Sequence, residues 1–127
     1  MIELLRTEAP AGDRVWFVVS AGVPETVALA ASLEAIFREA GWQPQIQRLT
    51  GMLLKQGPVR ILVGEEQEPP TVDIVRRALS AGGIVPETGT GYRQFYDEKK
   101  RENPAWPGVP LAPEQGFIVV IAPQASA

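Results

Sequence analysis

The chain contains neither cysteine nor histidine among its 127 residues. Without cysteine it can form no disulfide, no thiolate nucleophile and no cysteine-ligated zinc site, and the redox compartment stays undetermined. Without histidine it lacks the most common general base and the most common metal ligand of proteins. These two absences disfavour an enzyme, and we expect neither a cofactor nor a bound metal.

Positive charge and long apolar runs are also scarce. The net charge is −3 and the isoelectric point is near 5.0, so the chain lacks the broad basic surface that nucleic-acid binding requires. No apolar run approaches the ~20 residues of a membrane-spanning helix, and we expect no direct membrane insertion by this chain. The opening MIELLRTEAP does not resemble a signal peptide. A cytoplasmic location is favoured, with tethering to a membrane in a longer protein as the alternative.

What the sequence does contain is a globular composition. Apolar residues make up 45% of the chain, and a chain of this length buries roughly two thirds of its unfolded surface. One domain can therefore fold without disulfide bonds or structural metal ions. We expect a single α/β domain over residues 14–123 and a frayed tail over 124–127. Residues 1–13 are predicted to be a linker or the end of an upstream helix, which would make the chain an excised domain.

Three nearly continuous apolar runs predict strands that are buried on both faces, as in a parallel sheet. They span residues 14–20, 59–64 and 117–123. A looser alternation over residues 42–49 predicts an edge strand, because Pro44 is poorly tolerated in a central one. A short further strand is predicted at residues 84–85.

Two amphipathic helices are predicted, over residues 24–40 and 71–81. Pro24 suits the first turn of a helix, where its missing N–H costs nothing. Apolar side chains recur at helical spacing in both segments and define the buried faces. These side chains are Leu29, Leu33, Ile36, Phe37 and Ala40 in the first helix, and Val72, Val75, Ala78 and Leu79 in the second.

The resulting order β-α-β-β-α-β-β fits two architectures. One is a Rossmann-like, mainly parallel sheet of four to five strands with two main helices. The other is a ferredoxin-like split βαβ fold with an antiparallel sheet. The parallel sheet would bring the loops after Ser20 and Gly64 to one edge, where they form a single crevice, whereas the ferredoxin-like sheet would place them at opposite ends. The apolar strands favour the parallel version.

Several segments resemble C-terminal α/β domains of unknown function in bacterial membrane-tethered or coiled-coil proteins. The segments are LAASLEAIFREAGW, VRILVG, VDIVRRALSAGGI and FIVVIAP, and the resemblance covers most of residues 14–123 except 89–108. Those domains end their last strand in Val-Gly-Pro-Lys-Pro, whereas this chain has Ile121-Ala122-Pro123-Gln124. The shared features are helix ends and strand ends, so the resemblance implies a fold and no functional residues.

The loop of residues 20–26 joins a predicted buried strand to a helix N-terminus, where backbone N–H groups can bind an anion or a phosphate. Ser20, Gly22 and Thr26 are the candidate ligand-binding residues of this loop. The phosphate-binding motifs GxGxxG and GxxxxGK[ST] are absent. The alternative interpretation is an ordinary strand–helix turn.

The loop of residues 64–70 contains Glu65, Glu66 and Glu68 before the second helix. Their charge is favourable beside the positive end of a helix dipole, which accounts for the composition. The alternative is a carboxylate site for Mg²⁺ or Ca²⁺, but the spacing does not match an EF-hand loop. We therefore assign no metal ligands.

The segment GTGYRQFYDEKKRENPAWPG, residues 89–108, has two interpretations. It can be a short helix that packs its aromatic side chains on the domain, followed by a charged, solvated end. It can also be a lid, in which Tyr92 and Tyr96 stack on a planar ligand while Arg93 holds a charged group. Trp106 is either an anchor or a contact offered to a partner.

Three functions remain open from the sequence. The favoured one is a non-catalytic sensory or interaction domain of a larger bacterial protein, which binds a small ligand or a protein partner through the loops at one sheet edge. The alternatives are a nucleotide- or phosphate-handling enzyme that uses the 20–26 loop, and a structural module that forms homo-oligomers.

Overall fold

The computed structural model describes residues 1–8, 13–49, 57–106 and 108–123. The tail predicted for residues 124–127 and part of the predicted linker lie outside the described residues. The helices and strands are, in chain order, α1 (Ile2–Glu8), β1 (Arg14–Ser20), α2 (Pro24–Glu39), β2 (Gln43–Leu49), β3 (Arg60–Val63), α3 (Pro70–Ala81), β4 (Glu87–Gly89), α4 (Tyr92–Glu102) and β5 (Phe117–Ile121).

The five strands form one mixed sheet in the order β2-β1-β5-β3-β4. The pairings β1–β2, β1–β5 and β3–β4 are parallel, and β3–β5 is antiparallel. The prediction of an α/β fold with a mostly parallel sheet is therefore confirmed, whereas a Rossmann-like arrangement is not. The split βαβ alternative does not fit, because β1 pairs directly with β2.

The direction of β3 corrects one expectation. β3 runs antiparallel to β5, and β5 runs parallel to β1. The C-terminal ends of β1 and β3 therefore lie at opposite ends of the strands. The predicted single crevice between the loops after Ser20 and Gly64 is therefore wrong. Each half of the domain is instead a βαβ unit with neighbouring parallel strands, and β5 joins the two units.

One face of the sheet, here called the helix face, is covered by α1, α2 and α3. Alternate strand residues point to this face because side chains alternate along a strand. Their core contains, among others, Val15, Phe17, Val19, Leu33, Phe37, Ile61, Val63, Val75, Leu79, Val119 and Ile121. The apolar faces predicted for the two main helices are thus confirmed.

The first helix belongs to this core. Leu5 of α1 is fully buried, and the indole Nε1 of Trp42 donates a hydrogen bond to the Leu5 carbonyl at 3.3 Å. Phe37 of α2 packs edge-on against both Phe17 and Trp42, with 5.3 Å between ring centroids in each pair. These contacts join α1, α2 and β1 into one packed layer.

The opposite face, here called the loop face, has a different covering. Its core consists of Trp16, Val18, Val109, Ile118 and Val120, with Leu49, Leu62 and Leu111 packed against it. The side chains of Val109 and Leu111 come from the connection between α4 and β5, so among the described residues a loop covers this part of the sheet. The apolar strands β1 and β5 are consequently buried on both faces, as predicted. In β3, for which the same was predicted, Arg60 is exposed and Leu62 is half-buried.

Two strands at the sheet edges test the finer predictions. The edge strand β2 was expected from Pro44, and it does lie at the end of the sheet. The short strand expected at residues 84–85 is wrong, because β4 begins at Glu87 and the side chain of Val85 is 78% exposed.

Candidate functional site

Segment 89–108 contains, just before α4, a glycine that few other residues could replace. Gly91 adopts a left-handed conformation with φ of 70° directly before α4, and a Cβ there would lie 2.6 Å from the Glu66 Oε1. Its N–H donates to the Glu65 carbonyl at 2.8 Å. The start of α4 is therefore fixed to the loop that follows β3.

The aromatic side chains of α4 form a cluster with Trp106. Tyr92, Phe95 and Tyr96 share one side of the helix because they are three and four residues apart. The centroids of Phe95 and Tyr96 each lie 5.7 Å from the Trp106 ring, and that of Tyr92 lies 6.1 Å from Phe95. No residue of α4 is fully buried, and Phe95 is 45% exposed. This aromatic cluster is thus partly open to solvent.

A cavity of about 580 Å³ lies between the aromatic cluster and the loop face of the sheet. This volume is in the range of small-molecule sites, ~300–1,000 Å³. Sheet residues form its floor, and α4 with the following loop forms its wall. The lining residues are Arg60, Leu62, Gly89, Thr90, Tyr92, Phe95, Trp106, Gly108, Val109 and Val120.

Arg93 holds the loop that covers the loop face. Its guanidinium donates to the carbonyls of Leu111, Ala112 and Gln115 at 3.3, 3.2 and 2.6 Å, and its Nε contacts a Glu65 carboxylate oxygen at 3.1 Å. These bonds occupy the guanidinium with the chain itself. The predicted role of Arg93 in holding a charged ligand group therefore has no geometric support.

Tyr92 connects α4 to the same loop. Its hydroxyl donates a hydrogen bond to the Val109 carbonyl at 2.7 Å. Burial raises the pKa of Tyr92 to about 12, and the neighbouring Tyr96 adds to the rise. The neutral phenol is thus the form that the folded protein stabilises.

This pKa predicts a stability change at high pH. The pKa of Tyr92 is higher in the folded state than in the unfolded state, so the neutral phenol stabilises the fold. This stabilisation is complete below the ordinary pKa of 10.0 and is lost as the pH rises towards about 12. We expect the urea midpoint of the wild type to fall more steeply over this interval than that of Tyr92→Phe. Parallel declines of the two midpoints would contradict the prediction. The tyrosinate absorption of the wild type provides an independent titration.

The 20–26 loop follows β1 and lies at the opposite end of the strands from the start of α4. Ser20 is buried, Gly22 is exposed, and the Thr26 hydroxyl donates to the Val23 carbonyl at 2.9 Å. The start of α2 has no side-chain cap. The loop is therefore an exposed helix N-terminus whose threonine hydroxyl already has an acceptor within the chain.

The glutamates of the 64–70 loop contact arginines and the start of α4. Glu65 contacts Arg93, Glu68 forms an ion pair with Arg76, and Glu66 lies beside Gly91. Within the described residues, no group of three or more acidic side chains is arranged to hold a metal ion. The loop thus connects α3 and α4 to the end of β3.

The candidate residues fall into separate places. Tyr92, Tyr96 and Trp106 come together in the aromatic cluster, and Arg93 lies beside them but contacts the 111–115 loop. Ser20, Gly22 and Thr26 lie at the opposite end of the strands from the start of α4.

Sequence reasoning missed the floor of the cavity, which includes Arg60, Leu62 and Val120. The alternation along β3 places Arg60 and Leu62 on one face, but only the β3–β5 pairing brings Val120 next to them.

No protein-family model, curated protein or solved structure matches the chain. Within the described part of the chain, no helix has the length and apolarity needed to cross a bilayer. The resemblance to bacterial C-terminal domains stays a prediction.

Proposed function

We propose that the protein is a non-catalytic domain that binds a small molecule with a planar apolar body in the cavity between α4 and the loop face. The single observation that carries the proposal is the cavity itself, which has three aromatic side chains on its wall. Aromatic rings add contact energy beyond the apolar area that they bury, and planar ligands use it best. This site differs from the loop crevice expected from the sequence, because it lies on the sheet face.

The chemistry of the lining supports binding over catalysis. The chain contains no histidine or cysteine. Among the lining residues, Tyr92 is the best candidate for a general acid or base. Its hydroxyl donates a hydrogen bond to the Val109 carbonyl. Because burial raises its pKa to about 12, Tyr92 stays protonated at neutral pH and is a poor general base.

The Trp106 indole on the cavity wall is held by contacts with the surrounding chain. Trp106 closes against Gly108, where a Cβ would overlap the indole ring, so the loop can bring the tryptophan close to the chain. The indole also contacts Phe95 and Tyr96 edge-on. An aromatic ligand can therefore replace solvent at the open side of Phe95 without displacing a core side chain.

The enzyme alternative has less support. The Thr26 hydroxyl of the 20–26 loop donates within the chain, and Glu68 of the 64–70 loop is paired with Arg76. The two loops also lie at opposite ends of the strands, so a phosphate bound at one loop would not contact a metal bound at the other.

We expect Trp106→Ala to weaken the binding of naphthamide, a neutral planar probe, by at least about tenfold, because the indole supplies one wall of the cavity. Isothermal titration calorimetry measures the dissociation constant, and circular dichroism verifies the fold. Val85→Ala is the control, since Val85 is an exposed apolar residue outside the cavity lining. Equal binding of naphthamide by the wild type and Trp106→Ala would place the probe outside the cavity. Absence of wild-type binding by naphthamide and by its charged analogues would contradict the proposed function.

A further inference from the structure

The charge of the cavity narrows the class of ligand. Of its ten lining residues, Arg60 alone has a charged side chain, and none is acidic. A cavity with apolar walls and a single cation selects against cationic ligands, because a like charge near the guanidinium is unfavourable. It favours a ligand that pairs one anionic group with its apolar body.

Arg60 is placed where such a group would meet it. It is the first residue of β3, it points to the loop face like Leu62, and its partner across the antiparallel pairing is Val120. Both neighbours line the cavity. The Arg60 side chain therefore borders the apolar floor of the cavity, which the aromatic wall also lines.

The present partner of Arg60 is weak. Its Nε lies 4.0 Å from a carboxylate oxygen of Glu87, and the two side chains are 54% and 70% exposed. Exposed ion pairs of this kind contribute little, because water screens the charges and both side chains lose rotational freedom. A carboxylate that enters the cavity is better placed, since its own apolar body excludes water from the new pair.

A second cation lies behind the aromatic wall. The Nζ of Lys99 is 5.6 Å from the centroid of the Phe95 ring, and it is 3.9 Å from the Glu102 carboxylate. The Lys99 ammonium thus lies over the Phe95 ring, and the Glu102 carboxylate offsets part of its charge.

We propose that the ligand is a planar aromatic carboxylate, with its ring against Phe95 and Trp106 and its carboxylate on the Arg60 guanidinium. This inference rests on the proposed function, since it concerns the same cavity. It adds Arg60 as the residue that determines specificity. An arginine suits this role because its planar fork can donate two parallel hydrogen bonds to a carboxylate.

Three probes that share a naphthyl ring but differ in charge separate the contribution of the charge to affinity from that of the ring. Isothermal titration calorimetry compares naphthoate, naphthamide and naphthylmethylammonium on the full chain. We expect naphthoate to bind about fivefold more tightly than naphthamide, and the ammonium probe to bind most weakly. Equal affinities of naphthoate and naphthamide would overturn this inference and leave the proposed function standing. Failure of all three probes would overturn both.

The variant Arg60→Gln tests the residue itself. It keeps a polar but shorter side chain on β3 and removes the charge, so we expect naphthoate to lose its advantage while naphthamide binds as before. Arg38→Gln is the matched control, because Arg38 lies on α2 at the helix face and pairs with Glu34. If naphthoate keeps its full advantage on Arg60→Gln, or loses it equally on Arg38→Gln, Arg60 is not the determinant.

Discussion

Replacement of Phe37 by alanine is expected to lower the free energy of unfolding by about 3–5 kcal/mol, the usual range for a buried phenylalanine. Phe37 is fully buried, and its ring packs edge-on against Phe17 of β1 and Trp42, both at 5.3 Å. Its loss leaves a cavity at the junction of α2, α1 and the sheet. Since domains of this kind are stable by roughly 5–15 kcal/mol, much of the total would be lost.

The same substitution at Phe95 is the matched control. Phe95 is 45% exposed on α4, so Phe95→Ala should shift the urea midpoint far less than Phe37→Ala. Urea denaturation followed by far-ultraviolet circular dichroism measures both variants. Equal shifts would show that α2 does not pack through the face that contains Phe37.

Local patterns in the sequence predict the core because burial depends on side chains that are close along the chain. The consecutive apolar residues of β1 and β5 indicate burial on both faces, and both strands are so buried. Helical spacing places Leu33 and Leu79 on inward faces, and both are buried. Pro44 indicates an edge strand, since proline lacks the N–H that a central strand needs.

The order and direction of the strands could not be predicted in the same way. Both βαβ units follow local rules, but their relative direction depends on how β5 pairs with β3. This pairing joins residues 60–63 to residues 117–120, which are far apart in sequence. Consecutive apolar residues indicate burial on both faces but do not identify the neighbouring strand, so nothing local in β3 indicates that it pairs with β5 in the antiparallel direction.

The position of β4 shows how a helix end can be mistaken for a strand. Ile84 and Val85 are β-branched and follow two glycines, which favours a strand. In the structure, the Ile84 N–H donates to the Leu79 carbonyl at 2.8 Å, and Ile84 packs against the core as part of the end of α3. The strand therefore begins only at Glu87, whose N–H donates to the Val59 carbonyl.

The candidate site was predictable in its aromatic half. Helical spacing brings Tyr92, Phe95 and Tyr96 to one side of a short helix, and α4 has this geometry. The role of Arg93 was not predictable, because three of its four acceptors are backbone carbonyls, which every residue has. The sequence interval between Arg93 and Gln115 carries no pattern that indicates their contact.

Arg93→Met is therefore expected to have the second large effect on stability. The variant keeps an unbranched side chain and removes every guanidinium donor. The carbonyls of Leu111 and Gln115 then lose this donor, and the Ala112 carbonyl keeps the N–H of Gln115. Hydrogen bonds that involve a charged group contribute more than neutral ones, and we expect a loss of about 2–4 kcal/mol in the free energy of unfolding. Arg93→Lys should not restore it, because one ammonium cannot reproduce the planar fork.

A control variant and a local measurement separate the loss of the Arg93 hydrogen bonds from a general effect of charge. Arg101→Met removes an exposed arginine from the same helix, and its urea midpoint should stay close to that of the wild type. Hydrogen–deuterium exchange should increase first over residues 108–116 in Arg93→Met, since α4 no longer holds that connection against Trp16 and Val18. If Arg93→Met keeps wild-type stability and exchange, the loop is held by Tyr92 and its own apolar contacts. The guanidinium would then be available to a ligand, as the sequence first indicated.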